Sequence, residues 1–109
     1  YHEYGITYRY RGLCRLYANQ SVDKVIGDLQ KVLELSEKKT WEEYNEIAWL
    51  VYETKTENKQ LLEKAEEWVL TSIELESTYH NNDTHANILY KLGRYAEAEK
   101  AASQAVALA

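Results

Sequence analysis

The feature that most limits what this chain can fold into is an apolar stripe that returns three times at helical spacing. Val22, Val25, Ile26, Leu29, Val32, Leu33 and Leu35 fall three and four residues apart, so a helix over them carries them along one side. The stripe recurs at Leu61, Leu62, Ala65, Trp68, Val69, Ser72, Ile73 and Leu75, and again at Ala98, Ala101, Ala102, Ala105, Val106 and Leu108. Val25, Leu29, Val32, Leu33 and Leu35 superpose on Ala65, Val69, Ser72, Ile73 and Leu75 at an offset of 40. These in turn superpose on Ala98, Ala102, Ala105, Val106 and Leu108 at an offset of 33. The segments before them align too, with Ala48, Leu50, Val51 and Tyr52 on Ala86, Ile88, Leu89 and Tyr90 at an offset of 38. No stretch alternates with a period of two, so no strand is expected. The pattern predicts six helices, over 2–18, 22–38, 41–55, 59–76, 83–92 and 95–108.

Local signals agree. Ser21 or Asp23, Thr40 and Asp83 stand where a side-chain oxygen can cap a helix start, and Glu43 follows Thr40 at the capping-box spacing. Gly93 is placed as a helix stop before another start. Helix pairs recurring every 33–40 residues point to an α-solenoid, because one pair cannot bury its apolar side alone and pairs therefore stack. The 109 residues are expected to form one domain, with repeats over about 2–38, 41–76 and 80–108.

Composition narrows the function classes. The chain has no Pro and only four Gly, which excludes collagen and Pro-rich linkers and disfavours a turn-rich β-sandwich. An apolar content of 45% at a net charge of −5 argues against disorder. The single Cys14 closes no internal disulfide and belongs to no CxxC motif; it reads as a buried small hydrophobe. The longest apolar run, Ile47 to Tyr52, is far below the ~20 residues that span a bilayer, so no membrane insertion is expected. Residues 41–77 carry three Lys/Arg against ten Asp/Glu, a net of −7, which disfavours nucleic acid as a partner. The absence of Met, including at position 1, is read as the mark of a piece cut from a longer protein.

The segment from Leu89 to Leu108 closely resembles a tetratricopeptide repeat (TPR). That family sets a small residue in its first helix, a Gly-Xaa-Tyr turn, and small residues on its second helix; here these are Ala86, Gly93, Tyr95, Ala98 and Ala105. The middle unit matches through Ala48, Ala65 and Ser72, with a longer turn from Glu53 to Gln60. The first unit matches more loosely, through Tyr10 to Leu13, with Gly12 in the small-residue place. The family's Pro after the second helix is missing, and Glu37 and Ser77 take its place in the first two units. Without it, the second and fourth helices are expected to run on towards Thr40 and past Ser77. Residues 44–109 also resemble helical tails that follow thioredoxin-fold modules in some bacterial proteins.

The resemblance implies an all-α, right-handed solenoid of six antiparallel helices whose first helices line a concave groove. Matched place by place, the groove residues are Arg9, Leu13 and Leu16, then Asn45, Trp49, Tyr52 and Glu53, then Asp83, Asn87, Tyr90 and Lys91. Asn can pair with a backbone amide, and Trp and Tyr give rigid contact area at low entropic cost. The expected function is a non-catalytic module that binds a peptide or a partner helix, at micromolar affinity given the small interface. The alternative is a structural or oligomerising appendage of a larger bacterial enzyme, plausibly thioredoxin-like. Trp49 and Tyr52 equally suit a core. A carboxylate clamp of the chaperone-binding kind is absent, because Leu13, Glu46, His80 and Thr84 occupy its places.

Other constellations carry less. His80 and His85 lie five apart and so project about 140° apart on a helix, which disfavours a metal site with Asp83. Arg9, Arg11 and Arg15 among Tyr4, Tyr8, Tyr10 and Tyr17 read as snorkelling stems over an aromatic helix rather than a base-stacking platform. Glu42, Glu43 and Glu46 read as a solvated face near a helix start. Neither a catalytic constellation nor a cofactor motif stands out. The last helix is Ala-rich, with seven Ala among residues 95–109. Ala98, Ala101, Ala102 and Ala105 are expected to face the helix before it. The opposite side, with Ala96, Lys100, Ser103, Gln104 and Ala107, is nearly uncharged, which suggests self-association or packing on further structure.

Overall fold

The computed structural model describes residues 21–37, 39–54 and 56–109. Among them the secondary structure is all helical, with five helices and no strand. The helix expected over 2–18 lies outside the described residues, together with Arg9, Leu13, Leu16, Cys14 and the Tyr/Arg pattern around them. The chain divides into two compact units with the boundary between Lys39 and Thr40, where the first sequence repeat gives way to the second.

In the first unit, α1 (Val22–Leu35) buries Val25, Leu29, Val32 and Leu33 of the expected stripe, while Val22 and Ile26 are half-buried and Leu35 is exposed. It does not run on towards Thr40. Ser36 is extended at ψ 131°, and Lys39 takes a left-handed φ of 38° while its N–H donates to Ser36 Oγ at 3.3 Å. A serine that bonds its own neighbouring backbone competes with helix continuation, so no Pro is needed for the stop.

The second unit holds α2 (Trp41–Glu53), α3 (Lys59–Leu75), α4 (Tyr79–Lys91) and α5 (Tyr95–Ala107). Each helix packs against the next, and α2 also touches α4. The core follows the predicted spacing at Ala48 and Val51 of α2, Leu61, Leu62, Ala65, Trp68 and Val69 of α3, and Ile88 and Leu89 of α4, and adds Ile47 of α2. Ala86 and Leu89 meet Ala98 and Ala101 of α5 in one cluster, where the small side chains let the two helices approach closely. Ala102, expected in that contact, is exposed instead. It lies one position past Ala101, so the turn of ~100° per residue carries it off the contact line. Leu75 and Val106, at the ends of their stripes, are 53% and 73% exposed.

Helix ends correct the sequence reading in several places, beginning with Ser21, which precedes α1 without a side-chain cap. Thr40 precedes α2 but makes no side-chain cap, so the Thr40/Glu43 capping box does not form. The start of α3 is capped by Asn58, whose Oδ1 accepts from the Leu61 N–H at 3.0 Å. The helix expected from Asp83 starts four residues earlier, because Thr78 and Asn81 cap each other reciprocally. The Asn81 N–H donates to Thr78 Oγ1 at 3.2 Å, and the Thr78 N–H donates to Asn81 Oδ1 at 2.8 Å.

The same Asn81 explains why α3 stops at Leu75 rather than passing Ser77. Its Nδ2 donates to the Glu76 carbonyl at 2.7 Å and to Ser72 Oγ at 3.0 Å, and Ser72 Oγ donates on to the Trp41 carbonyl at 2.6 Å. Asn81 and Ser72 are both fully buried. A side-chain relay from α4 therefore satisfies the orphan carbonyl at the end of α3 and reaches through Ser72 to a carbonyl in the first turn of α2. Gly93 behaves as predicted. At φ 82° its N–H donates to the Tyr90 carbonyl and the Arg94 N–H reaches back to Leu89, both at 3.0 Å, the paired bonds of a Schellman turn.

Candidate functional site

Two recesses lie side by side on the second unit, and Asp83 of α4 borders both. The smaller, about 260 Å³, is lined by Asn45 and Trp49 of α2 and by His80, Asp83 and Thr84 of α4. Its positions follow from the helical period: Asn45 and Trp49 are four apart, as are His80 and Thr84, so each pair shares a face. The larger, about 620 Å³, lies between α4 and α5 and is lined by Asp83, Ala86, Asn87, Tyr90, Tyr95, Ala98, Glu99 and Ala102.

Of the residues that the resemblance assigned to a groove, the structure brings Asn45 and Trp49 to the first recess and Asn87 and Tyr90 to the second. Tyr52 is half-buried and stacks on Trp49, with ring centroids 5.0 Å apart and 27° between planes. Glu53 and Lys91 close their helices as exposed side chains that line neither recess. Arg9 and Leu13 lie outside the described residues.

The recess floor is polar and incompletely satisfied. Asn45 Oδ1 is buried and accepts no hydrogen bond. Leaving such an acceptor unpaired costs on the order of 1–3 kcal/mol, so the position is not explained by stability alone. Asn87 differs, because its Nδ2 donates to the Asp83 carbonyl at 2.9 Å and ties the side chain to its own helix. His80 stacks on Trp41 with ring centroids 6.3 Å apart, and Thr84 Oγ1 donates to the His80 carbonyl at 2.9 Å. Tyr90, 67% exposed, meets Tyr95 edge to face at 5.1 Å on the rim of the larger groove.

Behind the recesses a charged cluster joins α3, α4 and α5. Glu66 accepts from His85 Nε2 at 3.1 Å and from Arg94 Nη1 at 2.6 Å, and Arg94 also makes a bidentate pair with Glu97 at 2.6 and 2.9 Å. The Arg94 hydrogen bonds hold the Glu97 carboxyl below its ordinary range, and those from Glu97 and then Glu66 raise Arg94. His85 is thus occupied by a carboxylate and points away from His80. No group of three metal-ligating side chains converges among the described residues. Among the same residues, no helix is long and apolar enough to cross a membrane.

The sequence reading missed Tyr95, Glu99 and Ala102 as groove residues. The signal was present in the repeat register, since these positions sit 33 after Leu62, Glu66 and Val69 of the preceding pair. No family model, curated protein or solved structure matches this chain.

Proposed function

We propose that the chain is a TPR-like solenoid of three helix pairs, and that it is a non-catalytic module that captures a peptide or a partner helix on the face formed by α2 and α4. In support, the links 76–78 and 92–94 are as short as antiparallel neighbours require, and α2 touches α4, as the first helices of stacked pairs would. The observation that carries the reading is the recess of Asn45, Trp49, His80, Asp83 and Thr84. It joins a rigid indole to a carboxamide whose buried oxygen lacks a donor. A backbone N–H of a bound segment supplies such a donor once the Asn45 side chain swings outward. Asn87 and Tyr90 extend the same face towards α5. The module carries no reaction of its own and requires no cofactor.

Peptides selected on the wild-type chain test this. Trp49→Ala and Tyr90→Ala should each weaken capture at least tenfold while the melting temperature, followed by circular dichroism, stays within a few degrees. Unfolding of both variants would show that the aromatics are core and remove the proposal. A second reading, a structural or oligomerising appendage, draws on the exposed apolar residues of the last helix, Val106 at 73% and Leu108 at 48%. It predicts concentration-dependent association that Val106→Lys abolishes, read by sedimentation equilibrium.

A further inference from the structure

The larger groove has a filled counterpart within the same unit. Asp83, Ala86, Asn87 and Tyr90 stand 38 residues after Asn45, Ala48, Trp49 and Tyr52. Tyr95, Ala98, Glu99 and Ala102 stand 33 after Leu62, Ala65, Glu66 and Val69. All eight lining residues therefore have equivalents on the α2–α3 pair. That earlier bed is occupied by α4: Ala48, Leu62, Ala65 and Val69 are buried, and Glu66 receives His85 from α4 at 3.1 Å. Its copy on α4 and α5 is open, with Tyr90 and Tyr95 67% and 62% exposed and Ala102 and Glu99 exposed. Glu99, the equivalent of Glu66, has neither hydrogen-bond nor ion-pair partner among the described residues. Asp83 adds a second carboxylate at the other wall.

We propose that the groove between α4 and α5 is a seat for an amphipathic basic helix of a partner polypeptide, received as α4 is received by α2 and α3. The bed fixes the chemistry of the occupant. In α4 the side chain that meets Glu66 is His85, and one turn later Ile88 is fully buried. The occupant accordingly presents a His, Lys or Arg to Glu99 and an aliphatic side chain three residues on, against Ala98 and Ala102. Because Ala102 replaces Val69, the seat has room for a larger aliphatic residue than Ile. The aromatic rims, Tyr90 and Tyr95, close over the flanks of such a helix. The seat shares Asp83, Asn87 and Tyr90 with the face proposed above and rests on that reading to this extent, but it uses neither Asn45 nor Trp49.

The probe is a fluorescein-labelled peptide of residues 77–94 of this chain, made helical by a lactam between Asp83 and a lysine introduced by Asn87→Lys. Both staple positions lie off the face that carries His85 and Ile88. Fluorescence anisotropy with the intact chain should give a micromolar Kd that rises with ionic strength. Glu99→Gln should weaken it about fivefold or more, and Ala102→Glu should abolish it. A peptide carrying His85→Glu should bind poorly to the wild type and recover on Glu99→Lys. Trp49→Ala changes the recess and the stack on Tyr52 but no residue of the groove, and should leave the Kd within twofold. Three results overturn the proposal: no binding to a folded chain, binding indifferent to Glu99 and Ala102, or binding lost in Trp49→Ala alone, which would move the peptide to the recess. A dimer that Ala102→Glu dissociates, seen by sedimentation equilibrium in the absence of peptide, would also overturn it by assigning the seat to a second copy.

Discussion

Replacing Asn81 by Ala removes the side chain that couples three helices, and its cost can be worked from the bonds it makes. The fully buried carboxamide accepts from the Thr78 N–H at 2.8 Å and donates to Ser72 Oγ at 3.0 Å and to the Glu76 carbonyl at 2.7 Å. Each lost bond is worth about 1 kcal/mol net, with half as much again where the orphaned partner stays away from water. Asn81→Ala should therefore destabilise the second unit by about 3 kcal/mol. For a domain of 60–100 residues, each kcal/mol lowers Tm by roughly 4–8 °C, so a drop of about 12–24 °C is expected. Urea denaturation followed at 222 nm gives the free energy directly. A double-mutant cycle with Ser72→Ala isolates the shared bond, and its coupling energy should be about 1 kcal/mol. A loss below 0.5 kcal/mol for Asn81→Ala, or a coupling of zero, would refute the view that this relay replaces a proline as the stop for α3.

Four further outcomes follow from the same geometry. Thr78→Ala should cost about 1 kcal/mol by urea titration, whereas Thr40→Ala, which loses no side-chain cap, should be near neutral. Ala48→Leu should cost about 1–3 kcal/mol in the same assay, since the fully buried methyl leaves no room for an isobutyl group. Gly93→Ala meets no atom within 4 Å of the new Cβ and should lose only about 1 kcal/mol, from the strain of φ 82°. The Glu97 carboxyl, followed by NMR, should titrate below its ordinary value of 4.5 and return towards it in Arg94→Gln. Because its folded pKa is depressed, the stabilising contribution is present above the unfolded pKa and is lost as pH falls through the lower, folded one.

The core was legible in the sequence because burial and periodicity report the same quantity. Val25, Leu29, Leu61, Ala65, Val69 and Ile88 were all placed by spacing, and each is buried. Helix ends were less legible, because short polar side chains at helix junctions act through whichever partner the fold brings near. Thr40 and Asp83 had the composition of caps, yet Asn58 and the Thr78–Asn81 pair do the capping. Of the groove residues, Asn45, Trp49, Asn87 and Tyr90 reached a recess because they lie four apart or one turn from a buried alanine. Glu53 and Lys91 did not, being the last residues of their helices with no neighbour to build a wall. Glu99 escaped notice since an exposed glutamate on a helix carries no local signal. Only its register with Glu66, and the role Glu66 plays beneath α4, gives it meaning.

The packing order of the second unit also sets how it comes apart. Among the described residues α5 packs against α4 alone, apart from the Glu97–Arg94–Glu66 ion pairs that tie its start to α3, whereas α4 is held by α2, α3 and α5 together. Tension applied at residue 109 should therefore detach α5 before α4. That step would bare Ala86 and Leu89, which α5 covers in the folded unit. A partner seated against both α4 and α5 would brace that joint, so occupancy of the groove and mechanical toughness of the array become one property.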